Sequence, residues 1–201
     1  INNGYMKKSL IVLISILALL VIIIGYGISI NNKMVNADEA VMSQWAKVEN
    51  QYQRRADLIP NLVNTVKGYA SHEKETLDAV VNARAKATQV TISPDNLNEA
   101  SLQKYQAAQG ELSQALGRLL MVTENYPDLK ANQNFLELQA QLEGTENRIS
   151  TERTRYTDMV RDYNAMIRRF PASIIAGIGG FDKKPQFTAE AGAEKAPEVK
   201  F

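Results

Sequence analysis

The chain has no cysteine among its 201 residues. A disulfide framework and a thiolate metal site are therefore excluded. Its single histidine, His72, stands beside Glu73. A helical zincin site needs a second histidine four residues on, and that position is Thr76. Di-iron bundles need glutamate three residues before histidine, and Tyr69 holds that place. No G-x-S-x-G nucleophile elbow and no glycine-rich phosphate loop is present. The 23 basic and 22 acidic residues leave a net charge of +1. That balance gives no basic face for nucleic acid. Alternating β-branched runs with hairpin turns are also missing. The absences point one way: no catalytic set, no metal site, no cofactor, no nucleic-acid partner and no enzyme.

What is abundant is apolar surface at the start. Leu10 to Ile30 carries no charge, and about 21 such residues cross a bilayer core of roughly 30 Å. Leu10, Ile14, Leu17, Leu20, Ile24 and Ile28 mark this anchor, whose partner is the lipid bilayer. The run is too long for the h-region of a cleaved signal, about 7–15 residues. Lys7 and Lys8 precede it, which favours a cytoplasmic N-terminus and an extracytoplasmic bulk. Met6 with those two lysines resembles a natural start, so INNGY reads as an extension or an alternative start. The resulting division is a lead at 1–9, an anchor at 10–30, a helical bundle at 31–181 and a tail at 182–201.

Past the anchor, apolar residues recur in steps of three and four. The first segment runs Val41, Trp45, Val48, Tyr52, Arg55, Ile59, Val63, Val66, Ala70, Glu73, Leu77, Val80, Arg84 and Ala87. The second runs Leu102, Tyr105, Gln109, Leu112, Leu116, Leu119 and Thr123. The third runs Phe135, Leu138, Leu142, Thr145, Ile149, Glu152, Tyr156, Met159, Tyr163 and Met166. Such seams are what helices bury against one another. Breaks are expected at Asn31-Asn32 as a hinge, at TISPDN with Ser93 or Asp95 as cap, and at NYPDLKAN. Pro171 stops the third helix, and residues 172–181 form a short apolar piece that either folds on the bundle or meets lipid or another subunit. The chain beyond Lys183 is expected to be loose. The fold class is all-α: an elongated antiparallel bundle of three long helices (38–89, 97–125 and 131–169) plus a short C-terminal helix, on one transmembrane helix.

Four charges lie in these seams: Arg55, Glu73, Arg84 and Glu152. Either their stems are buried at the seam edge with their heads in water, or they form buried pairs that fix register between helices or subunits. With Arg54, Asp57 and Pro60 they are the candidate assembly and register residues. Arg54, Arg55 and Asp57 make a candidate docking patch. Pro60, inside a helical pattern, is expected to kink the rod.

The stretch ENQYQRRADLIPNLVNTVKGYASHEKETLDAVVNARAKA (Glu49 to Ala87) resembles the LemA family closely. So do DEAV (Asp38 to Val41), YPDLKANQNFLELQ (Tyr126 to Gln139), ENRI (Glu146 to Ile149), RDYNAMIRRFP (Arg161 to Pro171) and a terminal APEVKF (Ala196 to Phe201), in that order. The resemblance implies a bacterial membrane protein with an extramembrane helical bundle and no established activity; some family members accompany membrane metallopeptidases. It carries over no catalytic residue, and makes Asn61 to Glu73 a candidate assembly surface. The expectation is a non-enzymatic scaffold in the bacterial cytoplasmic membrane that forms a homo-oligomer. The alternative is an adaptor that docks a membrane metallopeptidase or other envelope enzyme.

Overall fold

The computed structural model describes residues 2–93 and 96–188; of residues 2–7 and 9 it describes the backbone alone. Asp95 and the APEVKF motif lie outside the described residues. Among the described residues six helices form: α1 (Asn2–Tyr69), α2 (Lys74–Gln89), α3 (Glu99–Thr123), α4 (Pro127–Lys130), α5 (Gln133–Arg168) and α6 (Ala172–Gly179). Among the described residues there is no strand. The expected elongated antiparallel bundle forms, with corrections to its segments.

The first correction is continuity. The chain stays helical through Asn31-Asn32, so no hinge separates the apolar run from the bundle. An 18-residue stretch of it has a mean hydropathy of 3.0, with none of that stretch buried inside the protein. By length and composition it is able to cross a membrane.

The second correction lies at the opposite end. The segment expected as one helix over 38–89 folds back at Ala70–Glu73. Ala70 N–H still donates to the Val66 carbonyl at 2.8 Å, Glu73 N–H turns back to the Ala70 carbonyl at 3.1 Å, and the Glu73 carbonyl starts α2 by accepting from Leu77 N–H at 3.0 Å. Helix α2 then packs against both α1 and α3. Helix α3 climbs again from an Asn98 cap: its side chain accepts from Ser101 N–H at 3.0 Å, and Ser101 Oγ accepts from Asn98 N–H at 3.0 Å. Asn98 therefore takes the capping role expected of Ser93, satisfying donors the first turn leaves open. Asn132 caps α5 in the same way, accepting from Phe135 N–H at 3.0 Å. Helix α5 descends along α1, and α6 folds against the two.

The core divides into two clusters. Trp45, Tyr52, Tyr105, Ile149, Tyr156 and Tyr163 belong to the one nearer the apolar run. Ile59, Leu62, Val66, Leu77, Leu112, Leu119 and Phe135 belong to the distal one. All seven predicted seam positions of α3 are buried. Two predicted seams shift by one residue. Leu62 is buried where Val63 was expected, and on α5 Val160 and Ile167 replace Met159 and Met166. An α-helix turns every 3.6 residues, so a strict 3.5-residue seam drifts around it.

Helix α1 continues through Pro60. Proline has no N–H, so the carbonyl four residues back, on Ala56, loses its helical donor. Arg84 of α2 supplies one: its Nε–H donates to the Ala56 carbonyl at 2.7 Å. This accounts for both residues. Arg84 stands on its seam to reach the gap that Pro60 opens. Arg84→Met is expected to lower stability by about 1–2 kcal/mol in the natural chain and by much less in a Pro60→Ala background. Denaturant unfolding of the four variants measures that coupling.

The chain after α6 is not loose as far as Thr188. Asn164 grips the Lys184 backbone on both sides: its Nδ2–H donates to the Lys184 carbonyl and its Oδ1 accepts from Lys184 N–H, both at 2.9 Å. Tyr156 O–H donates to the Pro185 carbonyl at 3.0 Å, and Lys184 Nζ pairs with Asp38 at 2.9 Å. Residues 181–188 thus form an extended strap across the bundle.

Candidate functional site

The two core clusters are separated by a polar layer. On α1, Arg55 stands between Tyr52 and Ile59; on α3, Gln109 stands between Tyr105 and Leu112; on α5, Thr145 and Glu146 stand between Leu142 and Ile149. The Arg55 side chain is 1% exposed. A guanidinium taken out of water must recover its lost hydrogen bonds inside the protein. Its Nη1 donates to Ser113 Oγ at 2.7 Å and to the Glu146 carboxylate. Its Nη2 donates to the Gln109 carbonyl at 3.1 Å and to Gln109 Oε1 at 2.7 Å. Its Cζ lies 5.1 Å from the Tyr52 ring centroid, within cation–π range. Gln109 completes the layer by donating to the Ala87 carbonyl at the end of α2, at 3.4 Å. One arginine therefore ties together α1, α3 and α5, and Gln109 extends the tie to α2.

A cleft of about 500 Å³ opens beside this layer, with Gln103, Gln106, Gln114 and Thr188 on its walls. Gln106 already reads backbone there, donating to the Thr188 carbonyl at 3.1 Å.

The other seam charges have separate partners. Gln44, itself buried, donates to Glu152 Oε2 at 2.6 Å and to the Glu152 carbonyl at 3.2 Å. Arg155 pairs with the same carboxylate at 2.9 Å. Glu73 Oε1 accepts from Tyr126 O–H at 2.9 Å, joining the α1–α2 turn to the α3–α4 turn. Arg54 and Asp57 are exposed, with Gln53 donating to Asp57 at 2.8 Å. Arg55 is turned away from them into the core, so the three do not form one exposed patch. His72 is exposed in the turn. Among the described residues no group of three or more His, Cys, Asp or Glu side chains is placed to hold a metal. Glu146, Gln44 and Ser113 are missed by seam spacing alone. Gln109 was visible as a polar residue on an otherwise apolar seam.

Around Trp45 the aromatic residues close up. Its ring lies edge-on to Tyr105 (5.3 Å) and Tyr156 (5.5 Å), and Phe187 of the strap stacks on it at 5.9 Å. Burial pushes the phenols of Tyr52, Tyr105, Tyr156 and Tyr163 up from their ordinary value of 10.0. The neighbouring Tyr52 and Glu49 add to the effect at Tyr105, and Asp38 adds to it at Tyr163. A phenol whose folded pKa is raised contributes stability that is fully present below its unfolded pKa. That stability is lost as pH rises through the folded pKa. The unfolding midpoint is therefore expected to hold until about pH 9 and to fall above about pH 10. A midpoint flat through about pH 11 would contradict the burial of these four rings.

The model of the LemA family matches residues 44–201. Two relatives from Paramagnetospirillum magneticum, magnetosome proteins MamQ 1 and MamQ 2, are each 24% identical over 185 residues, covering 84% of this chain and 68% of theirs. Protein LemA of Metamycoplasma hominis is 21% identical over 145 residues, covering 72% of this chain and 63% of its own.

Proposed function

This chain belongs to the LemA family, and from that premise we propose that it is a non-enzymatic scaffold held in the bacterial cytoplasmic membrane by a single span. The observation that carries this reading is the unbroken α1, which joins the apolar run to the bundle core without a joint. A rod of this kind holds whatever the bundle presents at a fixed height and angle above the bilayer. The names of the family and of these relatives are not those of enzymes. The polar layer supports the reading too: its groups are spent on holding helices in register, as a buried polar residue does in a coiled coil. Lys7 and Lys8 before the span support a cytoplasmic N-terminus, since long domains translocate largely regardless of their charge. The bundle then lies on the extracytoplasmic side.

The scaffold works as a homo-oligomer, because arraying single-span chains in a membrane multiplies weak contacts. Sedimentation of the detergent-extracted full chain is expected to give a discrete multimer that persists on dilution. A strictly monomeric species at every concentration would sink self-assembly. The cleft beside Arg55 favours a second reading, an adaptor for a membrane metallopeptidase or other envelope enzyme. Its amide-lined wall suits an extended polar segment, as the grip of Gln106 on Thr188 illustrates. Photocrosslinkers placed at Gln103 and Gln114 would capture that enzyme; crosslinks to the chain itself alone would remove this reading.

A further inference from the structure

Helix α6, ASIIAGIG, carries no charge. It packs on α1 where the apolar run ends. A Cβ built on Gly27 would lie 3.9 Å from Ile175 Cδ1, and one built on Gly179 would lie 3.6 Å from Asn31 Oδ1. Gly180 adopts φ +70°, a conformation suited to glycine, and Phe181 N–H then closes the helix by donating to the Ala176 carbonyl at 3.0 Å. The inner side is thereby occupied: Ala176 is buried and Ile175 packs in the cluster with it.

The outer side is not. Ile174 is 56% exposed and Ile178 is 84% exposed. Four residues apart, they sit one above the other on a single helix face. Phe170, just before the helix, is 82% exposed. Tyr26 and Ile28, in the last turns of the apolar run beside Gly27, are exposed as well. The bare face of α6 therefore continues the apolar surface of α1 at the level where the span leaves the bilayer core.

Charge at this level is mainly basic. Lys33, Arg168, Arg169 and Lys183 are exposed there. The acids are Asp162, engaged by Arg161 at 3.2 Å, Asp38, paired with Lys184 at 2.9 Å, and Asp182. Lys33 and Arg169 share a cleft of about 430 Å³ with Tyr26, Met166 and Phe170, and with the Asp162 carboxylate that Arg161 engages. Cationic groups beside an apolar wall, with a tyrosine at the boundary, match the order of a phospholipid: phosphate outside, acyl chain inside.

We propose that α6 is an interfacial membrane helix: Phe170, Ile174 and Ile178 enter the leaflet on the bundle side, and Lys33 and Arg169 hold lipid phosphates above them. The bilayer is the occupant of this face, because the face is continuous with the span and rimmed by cations. The bundle is thus fastened to the membrane at two points, which prevents it from tilting about α1. The proposal rests on the reading of Leu10 to Ile30 as a membrane span.

The cysteine-free chain permits single labels. The full chain carrying Ile178→Cys, Leu20→Cys or Met121→Cys is labelled with an environment-sensitive fluorophore. Each is reconstituted into vesicles of phosphatidylglycerol and phosphatidylcholine that contain nitroxide lipids. Quenching at Ile178 is expected to approach that at Leu20, with none at Met121 in the distal part of the bundle. If Leu20 is quenched and Ile178 behaves like Met121, α6 is not in the membrane while the span stands. If Leu20 itself is unquenched, the span reading fails first. A blue-shifted Ile178 label that lipid does not quench means a second copy covers the face, and also overturns the proposal. With Lys33→Glu and Arg169→Glu together, the excess quenching at Ile178 by labelled phosphatidylglycerol over labelled phosphatidylcholine is expected to disappear. An unchanged excess overturns the phosphate contacts.

Discussion

Trp45→Ala will lower the unfolding free energy of the bundle by roughly 3–5 kcal/mol. Trp45 is the only tryptophan of the chain and one of its largest fully buried side chains. It sits where α1, α3, α5 and the strap meet, with Tyr105, Tyr156 and Phe187 around it. Truncation leaves a void bounded by three aromatic rings on three elements, and such rings cannot collapse into it together. Helicity must serve as the readout, because the fluorophore is removed with the side chain. Phe187 loses its stacking partner in the same variant, so the strap should also become protease-sensitive. Trp45→Phe, which keeps most of the area, should lose much less. A truncation costing under about 1 kcal/mol would mean the cluster is not close-packed.

Arg55→Ala is the second large effect, on the order of 3 kcal/mol. The loss comes from what remains behind. Gln109 Oε1 and Ser113 Oγ lose a charged donor, and Glu146 loses its counter-ion. Glu146 is 46% exposed and Ser113 is exposed as well, so water takes over much of their share and the cost falls mostly on the buried Gln109 amide. Glu146→Gln should accordingly cost no more than about 1 kcal/mol. Arg55→Lys should resemble the alanine variant more than the natural chain, since an ammonium cannot fork between α3 and α5. Denaturant titration of the three variants checks that order; equal effects of Arg55→Ala and Glu146→Gln would place the energy in the ion pair instead.

The spacing of apolar residues revealed most of the helices because seams are a local property. It did not reveal direction. The seam of the first segment passes through Ala70, Glu73 and Leu77 without a slip, yet the chain reverses there. The turn Ala70–Glu73 returns Leu77 to the same distal cluster as Ala70, so the phase survives the reversal. Gly68 and Ser71-His72 were the local hints, and each is tolerated within helices. Arg55 was visible as a charge on a seam, whereas Glu146, one residue past the seam at Thr145, was not. Its role depends on how α5 lies against α1, which is long-range information. Arg84 looked like a misplaced charge until Pro60 explained it, and that pairing of a missing donor with a supplied one needs three-dimensional proximity. The strap was unreadable because its hold is mostly through its backbone, gripped by Asn164 and Tyr156. Composition alone, by contrast, exposed the apolar run.

The rigid mounting of the bundle is tested most directly by one distance. Spin labels at Leu20→Cys, inside the apolar run, and Gln53→Cys, on the exposed side of α1, are separated by about 33 residues of helix, or roughly 50 Å. Double electron–electron resonance on the reconstituted full chain, diluted with unlabelled protein, reads that separation and its spread. A single narrow distribution near 50 Å is the expected result. A broad distribution reaching well below it would reveal a joint at Asn31-Asn32, and would contradict a scaffold carried on one continuous rod.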